Sequence, residues 1–201
     1  MTSDGFDRAA SAVDEILQSD HAEERVRRYF DPRSGYAAET FNTLSPNEPD
    51  RVTSADLLAV SLLSVPVDAR IVRWFEEGEN AAEISRLLAE IPEVDIWEAG
   101  PEVLAPDAPA WRLWDLVRGA RIGMGPTRTS KLMARKRPRL IPIVDDMVRD
   151  VIKVSEEWGF FRWYLQDSGR VSQIRRLLPP ELADKISVLR TLDVAIWMGA
   201  V

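Results

Sequence analysis

Ile122-Gly123-Met124-Gly125 lies between two helical patterns, Ala110 to Arg118 before it and the cationic Gly125 to Arg135 after it. Its apolar-Gly-apolar-Gly alternation predicts a tight hairpin between two helices. Glycine reaches backbone angles closed to other residues and lets the peptide approach another surface with no Cβ in the way. The first amides of the second helix lack intrahelical partners and carry the positive end of the helix dipole, an arrangement suited to a phosphate. Ile122 and Met124 are expected to point inward and lock the turn between its helices. A glycine pair also marks ordinary helix-helix turns, so the charges around it decide what the turn is for.

Those charges are concentrated. From Arg112 to Pro142 there are nine basic residues and one acid, Asp115, a net +8 that leaves −15 for the rest of a chain whose total is −7. A basic island on an acidic body draws a polyanion to one face and repels it elsewhere. The competing reading is that Arg135, Lys136 and Arg137 only complement the dipole at the end of their helix. That reading fits Arg128 and Lys131 less well.

Composition removes several chemistries. The chain has no cysteine and one histidine, His21. Disulfides, cysteine-bound zinc, iron-sulfur clusters and histidine-cluster metal sites are therefore excluded, and neither a metal nor a cofactor is expected. His21 stands among Asp20, Glu23 and Glu24 and reads as a surface residue. The opening Met1-Thr2-Ser3-Asp4-Gly5 has no apolar core of a signal peptide, and no apolar run approaches a membrane span, so a cytoplasmic location is expected. The 201 residues, 45% of them hydrophobic, suffice for one sizeable core in a single domain.

The rest of the chain reads as helical. Ala9 to Phe30 carries one or two helices broken near Ser19-Asp20. Asp31-Pro32-Arg33-Ser34-Gly35-Tyr36 is a turn, either lining a groove or simply connecting. Thr53 or Ser54 caps a largely apolar helix over 55–64. Pro66 opens a further helix that Gly78 ends, and Asn80 caps the next. The proline-rich crossing through Pro101, Pro106 and Pro109 divides a lobe of about 1–105 from one of about 106–201 that holds the hairpin unit, 110–135. Beyond it come helices over 144–154 and 158–165, a penultimate helix from Pro179-Pro180, and a final helix from Ser187 to Met198. Leu140-Ile141-Pro142-Ile143 is extended but cannot join a central strand. Trp111 with Trp114, and the cluster Trp158, Phe160, Phe161 and Trp163, read first as core, with stacking on bases as the alternative. Arg190 and Asp193, three apart, read as a local pair.

Gly123-Met124-Gly125, a helix, Pro138 and then Val144-Asp145-Asp146-Met147-Val148-Arg149 together resemble the helix-hairpin-helix DNA glycosylase superfamily over about Leu113 to Val151. The resemblance implies an all-α, two-lobed fold built around a helix-hairpin-helix, with a catalytic aspartate at Asp145. It also implies departures. Bifunctional members carry a lysine two residues after the second hairpin glycine; Thr127 stands there, so a Schiff-base lyase step is not expected. Met147 replaces a histidine often found soon after the aspartate. Separately, Tyr29-Phe30-Asp31-Pro32, the run from Ala134 to Pro142 and Leu189 to Asp193 with Trp197-Met198 look like an uncharacterised actinobacterial family, a resemblance that spans nearly the whole chain.

Three functions follow. The first is DNA binding, in which Ile122, Gly123, Met124, Gly125 and Thr127 form the phosphate grip and Arg128, Lys131 and Arg135 neutralise phosphates on successive turns. The second is monofunctional N-glycosidic hydrolysis with Asp145 as the carboxylate beside the sugar. The third is a non-catalytic helical protein-interaction module, whose acidic surface meets a protein partner. Asp145 also has a plain structural reading: it precedes an apolar-periodic helix, where aspartate is a preferred N-cap.

Overall fold

A computed structural model describes residues 3–36, 38–77 and 79–201. Gly78, read above as a helix end, and the opening Met1-Thr2 lie outside the described residues. Among the described residues the chain is all helical, with no strand. Helix α1 (Ser3–Gln18) and α2 (Ala22–Phe30) are separated at Ser19-Asp20, as expected. Next come α3 (Ala38–Thr43), α4 (Ser54–Ser61) and α5 (Ala69–Glu76). After α6 (Ala81–Glu90) and a 3-10 turn at Pro101–Leu104 come the two hairpin helices, α7 (Pro109–Gly119) and α8 (Pro126–Lys136). The chain closes with α9 (Asp146–Ile152), α10 (Glu157–Tyr164), α11 (Ser168–Leu177) and α12 (Val188–Ala200).

Side-chain caps set several of these boundaries. Asp68 accepts the amides of Arg70 at 3.0 Å and Ile71 at 3.1 Å, so α5 starts at Ala69 and not at Pro66. Asp167 caps α11 through Gly169 and Arg170, and Val171, Ile174 and Leu177 form its buried stripe. The penultimate helix is therefore α11 and does not start at Pro179-Pro180, where the chain makes only a 3-10 turn, Pro180–Leu182. Ser187 caps α12 through the Arg190 amide at 3.0 Å.

The helices do not group along the division at residue 105. Helices α1 and α2 pack against α9, α11 and α12 from the far end of the chain, while α4 to α8 pack among themselves. The proline-rich crossing is a connection inside the second group, since α6 packs on α7 across it. All of these elements contribute to one continuous apolar core.

Helix α8 is the pivot of the second group. Every residue from Thr129 to Lys136 is buried, three cations among them. Asp56 of α4, itself fully buried, accepts Arg135 Nε and Lys136 Nζ, each at 2.7 Å, and the Thr53 amide at 2.8 Å. Other donors go to the 46–50 loop, where Lys136 meets Asn47 Oδ1 and the Glu48 carbonyl and Arg137 meets the Pro49 carbonyl and Asp50, and to backbone carbonyls at helix C-terminal ends. Arg135 reaches Phe41 and Leu44 at the end of α3, and Lys131 reaches Leu63, just past α4, at 2.9 Å. Arg137 reaches Leu88 and Ile91, the latter the C-cap of α6. These are the carbonyls a helix cannot satisfy internally, and they carry the negative end of its dipole. The basic run therefore serves dipoles as the second reading of it supposed, but those of other helices and from the inside. Arg135 is 2% exposed and fully engaged, which removes it from the phosphate-contacting set.

Taking one partner from a buried ionic cluster leaves uncompensated charge and costs about 3–5 kcal/mol. Asp56→Ala is expected to lose at least that much stability, seen as a lowered midpoint in urea unfolding. An unchanged midpoint would mean that the cluster does not hold α4 to α8.

Candidate functional site

The hairpin forms where the sequence places it. Gly123 has φ +91°, open in practice to glycine, and its carbonyl accepts the Gly125 amide at 3.0 Å. Gly125 is different. Its φ of −71° suits any residue, and a Cβ built there meets nothing within 4 Å. Neither backbone geometry nor the protein's own packing calls for glycine at that position. Met124 is buried and Ile122 half-buried against the core, so both apolar residues lock the turn as expected. The Gly125 amide is turned inward and Pro126 has no N–H, so the first outward amides of α8 are those of Thr127 and Arg128. Arg128 donates to Gly123 O at 2.9 Å and Pro66 O at 2.8 Å, tying the hairpin to the segment before α5.

Behind the hairpin lies a cavity of about 340 Å³ between the two helix groups. Thr127 and Lys131 of α8 line one wall, and Asp145 to Val148 line the start of α9. The opposite wall carries Tyr29 of α2, Tyr36, and Arg190, Asp193 and Trp197 of α12. Tyr29 and Tyr36 stack with centroids 5.1 Å apart, and Trp197 meets Tyr36 edge-on at 6.0 Å. Gly35 and Tyr36 make the early turn a cavity wall, while Arg33 points away and pairs with Asp31. A wider hollow of about 520 Å³ lies around Trp97 and Ser187, but there Arg139 is spent on Asp95, and Lys185 on Glu39.

Asp145 is the N-cap of α9, as the structural reading had it: Oδ1 accepts the Val148 amide at 3.2 Å. Its other oxygen faces the cavity, 3.9 Å from Lys131 Nζ. Lys131 itself is 6% exposed. Burial holds its amine below the ordinary lysine range, Asp145 and Asp193 pulling it up and Arg190 and Arg128 pushing it down. Arg190 and Asp193 form the expected local pair, buried, with Tyr29 Oη accepting from Arg190 Nη2 at 3.2 Å. Arg190 Nε is the one buried side-chain nitrogen or oxygen without a partner among the described residues.

Sequence spacing brought Thr127, Lys131 and Asp145 to one place but missed the aromatic wall and Arg190. A signal existed in the α12 pattern, where Arg190, Asp193 and Trp197 recur at helical spacing within an otherwise apolar helix. Trp111, Trp114 and Trp158 instead form a cluster of their own, with Trp111 Nε1 bonded to Leu104 O. Among the described residues no group of three or more acidic, histidine or cysteine side chains could hold a metal, and no helix is long and apolar enough to cross a membrane.

These features define an all-α protein with a glycine hairpin and a polar cavity between two helix groups. A model of a family of unknown function, DUF6308, matches residues 22–200, and the chain belongs to that family. The whole-chain likeness to an uncharacterised family stands in that form. Comparison with curated proteins and with solved structures finds no match.

Burial pushes the Asp193 carboxyl up to about 7, against the pull of the Arg190 guanidinium and the Ile143 amide. A group raised in the folded state from an ordinary 3.8 contributes stability that is fully present below that value and lost as pH rises through about 7. The stability of the wild type relative to Asp193→Asn, from urea unfolding, is therefore expected to fall between about pH 4 and about pH 7. A flat difference would mean that Asp193 titrates as an ordinary carboxylate.

Proposed function

We propose that this is a DNA-binding protein of the helix-hairpin-helix kind, which contacts phosphates through the 122–125 turn and the start of α8 and offers the cavity behind it to an unstacked base. The observation that carries the reading is that Thr127 belongs to both places: it supplies one of the first outward amides of α8 and lines the cavity. Gly125 supports it, as a glycine with no internal reason to be one and with open space over its Cα. The aromatic wall supports stacking of a planar group, and the free Arg190 Nε–H calls for an acceptor such as a base carbonyl.

The electrostatic grip on this reading is smaller than the sequence suggested. Lys131 and Arg135 are inside, and Arg112 lies 3.7 Å from Glu83. That leaves Arg128 with the exposed Arg118 and Arg121 beside the hairpin. With about −0.9 in log-log salt slope per phosphate neutralised, three cations give a slope no steeper than roughly −3. Anisotropy of labelled duplex DNA over a salt series is expected to show such a slope, and Arg118→Glu/Arg121→Glu to abolish binding. A slope of zero, or no binding at low salt, would leave the helical interaction module as the reading.

A second reading, monofunctional N-glycosidic hydrolysis, is favoured by Asp145 alone. Its cavity-facing oxygen would stand beside the positive charge that develops on a deoxyribose as the base departs. Asparagine caps a helix as well as aspartate does. Asp145→Asn is thus expected to keep DNA binding and lose base release from lesion-bearing duplexes by about a hundredfold or more. Equal release would take Asp145 out of the chemistry.

A further inference from the structure

We propose that the cavity is a binding site for a free aromatic α-amino acid, whose ammonium meets Asp145, whose carboxylate meets Lys131 and whose ring packs against Tyr36 and Trp197. The inference rests on the cavity's own walls and not on the hairpin's contacts with DNA. A volume of about 340 Å³ lies within the range of small-molecule sites. Charge decides the class of ligand first. Two cations and two carboxylates, Lys131 with Asp145 and Arg190 with Asp193, line the walls, and the exposed Asp146 pairs with Arg149. The two wall pairs differ. Arg190 and Asp193 are in direct contact, whereas 3.9 Å separates Lys131 Nζ from the Asp145 oxygen that the helix cap leaves over, beyond hydrogen-bond distance. Lys131 spends one of its three donors, on the Leu63 carbonyl. The Tyr29 hydroxyl accepts from Arg190 and keeps its own proton to give.

A lone carboxylate placed beside Lys131 faces the Asp145 oxygen, and a lone ammonium placed beside Asp145 faces Lys131. A head group that carries both charges meets each with its opposite. In an α-amino acid one carbon bears the ammonium and the carboxylate, roughly 3 Å apart, which matches the 3.9 Å between Lys131 and Asp145. Burial holds the Lys131 amine below the ordinary lysine range, and a carboxylate brought beside it favours its charged form again. The aromatic wall decides the side chain. Tyr29 already has the Arg190 guanidinium 5.7 Å from its ring centroid and Tyr36 stacked at 5.1 Å. Tyr36 is half-buried and meets Trp197 only edge-on, at 6.0 Å. A ring laid against Tyr36 therefore extends an existing stack with Trp197 at its side, in the offset and edge-on arrangements that aromatic groups prefer.

Isothermal titration calorimetry of the intact chain tests this. L-Phenylalanine or L-tryptophan is expected to bind with a submillimolar Kd. For phenylalanine, 3-phenylpropionate, 2-phenylethylamine and L-leucine lack the ammonium, the carboxylate and the ring in turn, and each is expected to bind at least tenfold more weakly. No heat from either aromatic amino acid at millimolar concentration, or equal binding of any of the three analogues, would overturn the proposal. In Asp145→Asn, whose cap is preserved and whose fold is checked by its urea midpoint, the Kd of the amino acid is expected to rise tenfold or more. The same variant is expected to bind 3-phenylpropionate no more weakly than the wild type does, because the charge opposing a carboxylate is gone. An unchanged Kd for the amino acid, or a parallel loss of both ligands, would overturn the pairing of Asp145 with the ammonium and the proposal with it. No DNA enters the experiment, so its failure and the failure of DNA binding are separate results.

Discussion

The buried contact between Asp56 and the Arg135-Lys136 pair is the constraint on which the rest of this structure depends. An aspartate with no exposed surface must have its charge met, and two cations from one helix meet it. Replacing such a cluster by apolar side chains is often neutral or better for stability. What the charges supply is a fixed axial and rotational position for α8 against α4. The hairpin at one end of α8 and the cavity along its flank both inherit that position.

Helix α8 also closes the backbone account of its neighbours. Three helices, α3, α4 and α6, end close to it, and the carbonyls at or just past those ends lie near its cationic side chains. A converging set of negative dipole ends needs positive charge in the middle, and a long side chain with several donors satisfies more than one carbonyl at once. Here arginine is better suited than lysine, and Arg135 and Arg137 do most of this work. A run of basic residues that looks like a polyanion footprint is thereby converted into internal architecture.

This explains what the sequence made legible and what it did not. The helices were readable because their apolar spacing and caps are local signals; Gly123, Asp145 and Ser187 each do locally what their residue types suggest. Thr127, Lys131 and Arg135, four apart, do share one face of α8, as spacing requires. Spacing cannot say which way that face points. Charge suggested outward, and the answer depended on Asp56, seventy-nine positions from Arg135 in the chain. The grouping of the helices was out of reach for a similar reason. Prolines mark a local change of direction, whereas the pairing of α2 with α12 is set by apolar surfaces that meet only after the chain has closed on itself. The same closure builds the aromatic wall, since Tyr29, Tyr36 and Trp197 have no local relation that a pattern search could find.

Asp145 shows why the structural and chemical readings of a residue need not compete. A carboxylate has two oxygens, and an N-cap uses one of them. The capping bond to the Val148 amide fixes the side chain's orientation, and that orientation delivers the second oxygen to Lys131 and the cavity. Had the same aspartate been held through both oxygens, as Asp56 is, no oxygen would remain for a ligand. Had it been held by none, its position beside the amine would be lost to rotamer freedom. One bond made and one oxygen left over is the condition for a side chain to be both placed and available. Asp145 meets it at the point where the hairpin helix, the cavity and the buried amine come together.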